Sequence, residues 1–335
     1  FINELKKYHF KLILIYLLMF KKRLFFCLLL VPFSIIAQQK FSKEFSFTTD
    51  NDLYVSFNRD RYYTSGIFLN YRYITNNENV KLEKKIFEWQ LGHEMFTPNK
   101  SIVQTIEEHD RPFASYLYGG FSVKNVYKNN KILSYTLQAG VIGPNAFGKE
   151  LQDFIHGIYG FKKGIGWQFQ IKNAIALNFD VDYIHFLGKN DANTMDVSWV
   201  NSAKLGTVYT NLSSGFYVRF GLTSLEKIVN SIAFNTNLND VTTTSTRAIE
   251  SFFFLKPTLR YAFYDATLEG SFLNNTSLVT KEIIPVVFNL EIGLKFTASR
   301  FNFGYIFNYN TSKSEGLRYT YGNKYGTISI NYLIR

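Results

Sequence analysis

The stretch "KILSYTLQAGVIGPNAFGKELQDFIHGIYG", residues 131–160, changes its period halfway along. Residues 131–143 alternate apolar and polar side chains, as a strand with two different faces must. A Gly-Pro-Asn turn follows at 143–145, and then Leu151, Gln152, Ile155, His156 and Tyr159 recur at helical spacing. Runs of the first kind fill the rest of the chain: 41–51, 62–75, 84–97, 113–127, 170–187, 195–210, 214–223, 250–264, 281–297, 299–310 and 318–334. With 131–143 they number twelve, an even count, and the helix is the one interruption.

Short turns alternate with long links. "TNNEN" at 75–79, "KNNK" at 128–131 and "ASR" at 298–300 join one set of neighbours, while the links after the first, third, fifth and ninth runs are longer. An all-β, twelve-stranded antiparallel transmembrane β-barrel, with a short helix in an external loop, has this rhythm. No run beyond residue 37 reaches the length of a transmembrane helix. Closure gives every strand edge a partner, as a bilayer requires. A soluble β-sandwich or lipocalin-like barrel is the rival. Tyr71, Tyr73, Phe87, Trp89, Tyr116, Tyr118, Tyr305 and Tyr309 near strand ends favour the membrane form, with these rings at the interfaces. Residues 224–249 break the rhythm, because they make a long link on the short-turn side.

The first residues read differently. Met19 is followed by Lys21, Lys22 and Arg23, an apolar run from Leu24, and Ala37 before Gln38, which is the layout of a secretory signal peptide over 19–37. Residues 1–18 then read as upstream read-through, and 38–335 as one outer-membrane β-barrel domain. Cys27, the one cysteine, falls inside the apolar run, so the mature chain has no disulfide and no thiolate ligand. Residues 1–37 carry six Lys/Arg and one Glu, leaving 31 basic against 25 acidic residues beyond them. That surplus does not suggest nucleic acid; it suits an anionic lipid surface.

Hairpin topology gathers what the chain scatters. Asn51 and Asp52 end the first run, and Thr64 opens the second at the same rim. Lys100 follows the third, "HDRPFASYLYGG" begins the fourth, and the helix leaves the fifth. Gln152 and His156, four residues apart, share one helix face. A neutral histidine suits proton abstraction from water near neutral pH. Asp52 offers a fixed charge for a hard cation, Asn51 and Thr64 offer oxygen ligands or hydrogen bonds, and Lys100 a partner for phosphate. Such parts suit metal-assisted ester hydrolysis at a membrane surface. One carboxylate among neutral oxygens suits several hard cations.

"NDLY…DRYYTSG", "HDRPFASYLYGG" and "GVIGPNAFGKELQDFIHGIYG…GWQFQ" resemble the LpxR-type lipid A 3′-O-deacylases of the outer membrane, most densely over residues 45–170. The resemblance implies a site between the outer barrel wall and the loop helix, facing the outer leaflet. His156 is there the base that activates water, and a calcium ion near Asp52 and Asn51 polarises the ester carbonyl. Thr64 and Gln152 support ion, water or substrate, Lys100 corresponds to an active-site lysine despite shifted loop spacing, and lipopolysaccharide is the substrate. The chain closes on "NYLIR", Arg335 standing where the family often has an aromatic residue. Two other functions remain compatible with the residues: an outer-membrane phospholipase-type esterase, and a non-catalytic barrel or channel. A polar cluster at strand ends, rather than charges along the lumen, favours an enzyme over a pore.

Overall fold

A computed structural model describes residues 40–55, 61–100, 102–160, 162–241, 243 and 248–335. The expected signal peptide over 19–37, the expected upstream read-through over 1–18 and Cys27 lie outside the described residues. Residues Lys40–Arg335 form one compact unit in which twelve antiparallel strands close into a barrel. In chain order they are β1 (Lys43–Asn51), β2 (Tyr62–Thr75), β3 (Leu82–Thr97), β4 (Ala114–Tyr127), β5 (Lys131–Ile142), β6 (Ala174–Lys189), β7 (Met195–Gly206), β8 (Tyr209–Gly221), β9 (Ser251–Asp265), β10 (Val286–Ala298), β11 (Phe301–Asn310) and β12 (Asn323–Ile334). Each pairs with its chain neighbours, and β1 meets β12 in register from Lys43↔Ile334 to Asn51↔Gly326.

Alternation sets the two faces. In β1, Glu44, Ser46 and Asp50 are buried while Phe45 and Phe47 are exposed. The wall is therefore apolar outside and polar inside, as a lipid-embedded barrel needs. Outward rings of Tyr71, Tyr73, Phe87, Phe121 and Trp89 pack in a chain with centroids 4.7–5.8 Å apart. Tyr116 and Tyr118 depart from the expectation that they mark an interface. They are buried inside and stacked at 4.7 Å, and Asn178 Nδ2 donates to the Tyr116 hydroxyl. Their inward parity follows from β4's register, in which Ser122 lies opposite Glu88.

The seventh and eighth runs also shift, because β7 and β8 are joined by Thr207 and Val208 alone. The sequence around this turn has little turn chemistry of its own. Asn178 of β6 supplies it, its Oδ1 accepting from Val208 N and Tyr209 N at 3.2 Å each.

The lumen holds charges after all, several of them in ion pairs: Arg72 with Glu44 and Glu88, Lys204 with Asp180, and Lys256 with Glu291. Glu88, Lys204, Lys256 and Glu291 line a polar cavity of about 700 Å³. The described residues of 222–250, the long link on the short-turn side, fold into that end of the barrel as a stopper. Leu225, Ile228, Ile232, Phe234 and Leu238 join one apolar cluster with wall residues Ile86, Val126, Phe254 and Leu333. Wall cations grip the stopper's carbonyl oxygens, Lys84 Nζ donating to Thr236 O at 2.7 Å and Lys124 Nζ to Phe234 O at 2.8 Å. Buried Arg219 binds Asp196, Glu250, Ser231 Oγ and Glu226 O together. Loops cover the opposite end, where Arg111 donates to Tyr62 O and Thr267 O, and Asp110 accepts from the Tyr62 hydroxyl. Burial lowers the Arg111 pKa to about 10.

Candidate active site

The expected helix is α1 (Gly148–Tyr159). Gly143 makes the turn into it possible: its φ is +100°, and a Cβ there would lie 2.7 Å from the Lys172 carbonyl carbon. Pro144–Ala146 forms a 3-10 turn, Phe147 takes the left-handed conformation, and Gly160 (φ +71°) ends the helix by donating its N–H to His156 O. Gly148 lets the helix settle on the wall, since a Cβ there would meet Ser115 Cβ at 2.5 Å and Trp167 Cη2 at 2.7 Å. Beneath lies an apolar cluster outside the barrel, made by Met95 of β3 with Val103, Phe113 and Trp167. The loops on either side are zipped together, Val103 N donating to Ile165 O and Ile171 N to Phe113 O, both at 2.9 Å. Phe147, Phe154 and Ile158 stay exposed on the opposite side of the flap.

Gln152 and His156 turn inward, 1% and 8% exposed. The indole Nε1–H of Trp167 donates to Gln152 Oε1 at 2.7 Å. An indole nitrogen only donates, so this contact fixes which end of the amide is oxygen. The amide NH2 of Gln152 is left buried with no partner, and an unsatisfied buried donor costs free energy unless something binds it. His156 Nδ1 lies 2.6 Å from Lys162 O. A carbonyl only accepts, so Nδ1 carries the proton and the neutral ring's lone pair is on Nε2. Other buried polar atoms without a partner include His93 Nδ1 and Thr97 Oγ1 of β3, His109 Nε2 of the β3–β4 loop and Gln170 Oε1 ahead of β6.

Thr64 sits at a bulge of β2, buried, with Oγ1 donating to Met95 O at 3.3 Å. It thus touches the wall residue on which Trp167 packs, and Trp167 holds Gln152. Asn51 ends β1 opposite Ser65, one residue from Thr64. Its Oδ1 caps the following turn by accepting from Leu53 N at 2.8 Å. Asp52 is buried in that turn, and Oδ2 accepts from Arg61 N at 2.7 Å. Lys100 lies exposed on the β3–β4 loop and forms no hydrogen bond or ion pair with a described residue. The contacts therefore join Thr64, Gln152 and the α1 face, set Asn51 and Asp52 on the neighbouring strand end, and leave Lys100 outside.

Among the described residues no three of His, Cys, Asp and Glu converge as a metal cluster. Asp52 and Asn51 offer one carboxylate and one amide oxygen, hard donors that fit calcium in kind, with water, main chain and substrate left to complete six to eight ligands. Trp167 is the residue that sequence reasoning left without a role, although it stands in "GWQFQ". A tryptophan with glycines at 164 and 166 signals close packing, and a Cβ at Gly164 would lie 2.3 Å from Gln152 Oε1.

A family model described as outer membrane protein LpxR matches residues 24–334. Among solved structures, LpxR from Salmonella typhimurium aligns over 87% of this chain and 100% of its own, at 20% identity and a TM-score of 0.70. That likeness shows a common fold. The β domain of the Bordetella autotransporter BrkA aligns over 88% and 99% at 8% identity, with a TM-score of only 0.43. No protein among curated sequences matches.

Proposed function

The chain belongs to the LpxR family of outer-membrane proteins, and from that premise we propose that it is a lipid A deacylase, releasing a 3′-linked acyl or acyloxyacyl chain by hydrolysis. The observation that carries this reading is the hydrogen bond from His156 Nδ1 to Lys162 O, which holds the imidazole as the tautomer with its lone pair on Nε2.

In the proposed reaction a water gives its proton to His156 Nε2 as its oxygen attacks the ester carbonyl. Lys162 O steadies the ring as it becomes imidazolium. The tetrahedral intermediate then expels the sugar 3′-oxygen, which takes the proton back from Nε2, leaving a carboxylic acid and a free hydroxyl. The Gln152 NH2, buried and without a partner in the protein, suits donation to the carbonyl oxygen as it gains charge. Asp52 and Asn51 would hold calcium, which when bound supplies a positive charge that polarises the carbonyl. Thr64 Oγ1 lines the wall side of the same sector, and Lys100 would meet a phosphate of the headgroup. The exposed Phe147, Phe154 and Ile158 suit contact with acyl chains, so substrate would enter sideways from the outer leaflet.

The test is mass spectrometry of lipid A incubated with refolded protein. Loss of one 3′-linked chain is expected with calcium and not with chelator. His156→Asn should lower the rate by about 10²- to 10⁴-fold while the barrel still folds. Fatty acid release from glycerophospholipid instead would give the esterase reading, and full activity in His156→Asn would remove His156 as the base.

A further inference from the structure

A basic groove lies at the other rim of the wall. The β2–β3 turn and the β4–β5 turn meet there, Lys128 N donating to Lys81 O at 3.1 Å. Both turns are internally braced: Asn79 Oδ1 accepts from Lys81 N, and Asn130 N donates to Tyr127 O. Between them runs a groove of about 570 Å³ lined chiefly by Lys81, Lys128, Lys131, Tyr127, Leu133 and Tyr183. No carboxylate lines it, Glu78 and Glu83 of the same hairpin being outside the lining. None of the three lysines forms an ion pair with a described residue. Three ammonium groups around one concavity repel, and beside a low-dielectric bilayer that repulsion is poorly screened. An anion placed among them removes it.

The strand below the groove says what kind of anion. Lys131, Leu133, Tyr135 and Leu137 alternate along β5 on the outward face, and Tyr135 stacks on Phe179 of β6. A cation at the rim is thus followed into the membrane by an apolar ladder, each outward step about 7 Å. A free phosphate uses only the first part of this surface; a lipid with an anionic headgroup uses all of it. We propose that the groove between these two turns binds the phosphodiester headgroup of an anionic glycerophospholipid, in the leaflet that meets the short-turn rim. The tyrosine hydroxyls suit hydrogen bonding to its phosphate and glycerol oxygens, and the lysine stems lie along the wall with their charges at the surface.

The experiment counts lipids on the refolded chain in nonionic detergent by native mass spectrometry, titrating phosphatidylglycerol or phosphatidylcholine. One phosphatidylglycerol should persist at detergent concentrations that strip phosphatidylcholine. Lys81→Gln, Lys128→Gln and Lys131→Gln should each weaken it about fivefold at low salt, less at high salt. Lys149→Gln, Lys163→Gln and Lys324→Gln, exposed at the opposite rim, should leave it unchanged. Leu133→Asn should also weaken it, and excess inorganic phosphate should not displace it. Equal retention of both lipids, equal effects of the two lysine sets, or displacement by inorganic phosphate would each overturn the proposal. The readout needs no enzymatic activity, so it stands or falls apart from the deacylase reading.

Discussion

Replacing Trp167 with Phe isolates one hydrogen bond of the flap. The six-membered ring can keep its place against Phe113, whose centroid lies 4.8 Å away, and in the cluster with Met95 and Val103. What disappears is the Nε1–H that holds Gln152 Oε1 at 2.7 Å, in a side chain only 1% exposed. Leaving that oxygen buried without a donor costs about 1–3 kcal/mol. The amide then gains by turning its NH2 toward other acceptors, so the donor is oriented for only part of the time. Removing an oxyanion donor outright costs about 10²- to 10³-fold in kcat; losing only its orientation should cost about 10- to 100-fold, or about 1.4–2.7 kcal/mol. KM should stay within about twofold, because the interaction is strongest in the transition state. The assay is the initial rate of acyl release from lipid A in mixed micelles, with refolding checked by urea titration. Gln152→Leu should lose more, and adding Trp167→Phe to it should change little further, since both act through one amide. A Trp167→Phe enzyme with wild-type kcat, or a fully additive double variant, would refute the orienting role.

Three further outcomes follow from other parts of the molecule. Gly164→Ala puts a methyl 2.3 Å from Gln152 Oε1, so kcat should fall about tenfold or more with little change in the urea midpoint. Deleting residues 226–248 and bridging the gap with a short glycine-serine turn should open the short-turn end of the lumen, so that a cysteine introduced at the lumen-lining Ser202 (Ser202→Cys) reacts with a water-soluble thiol reagent that does not reach it in the undeleted chain; equal reactivity with and without the segment, in folded protein, would mean that the stopper does not close this end. Lys313, in the β11–β12 loop, has its pKa lowered to about 7 by burial, with Arg260 and Arg111 nearby adding to the effect. The unfolded chain therefore binds more protons than the folded one between about pH 7 and the ordinary lysine value, so stability gained from this group rises with pH across that window. Lys313→Met should flatten the rise in urea midpoint measured from pH 7 to 9, and an unchanged slope would count against the assignment.

Much of the barrel can be read from residues whose neighbours along the chain decide their environment. Alternation in "KILSYTLQAGVI" and "YYTSGIFLNYRYIT" fixes both strand and face, and the change of spacing after Gly143 fixes α1. The misplacements have a common cause, which is a partner far away in sequence. The turn at Thr207–Val208 is capped by Asn178 from another strand, and its local bracing is only the Thr210 hydroxyl on Gly206, a weak signal. Tyr116 and Tyr118 look interfacial because they are aromatic and near a strand end; only the register against β3 puts them inside. The lumen charges were invisible as pairs because each pair spans different strands, such as Arg72 and Glu44. In the candidate site, the shared buried face of Gln152 and His156 is legible from the i, i+4 spacing, whereas the hydrogen bond from Trp167 Nε1 to Gln152 Oε1 is one that spacing cannot reveal.

The stopper also bears on the order in which the chain is built. Its apolar cluster draws on Ile86 and Val126 early in the chain and on Leu333 near its end, while Asn239 N donates to Phe41 O beside the first strand. The seam is equally long-range, Ser46 Oγ reaching Asn331 Oδ1 across 285 residues. Joining such distant ends carries a large chain-entropy cost, which makes closure slow when nothing lowers it. A segment that binds both ends of the chain can lower it by acting as a mandrel, around which a partly formed sheet curls until β12 meets β1. The same side chains that shut the lumen of the finished barrel would then have served first to bring its edges together.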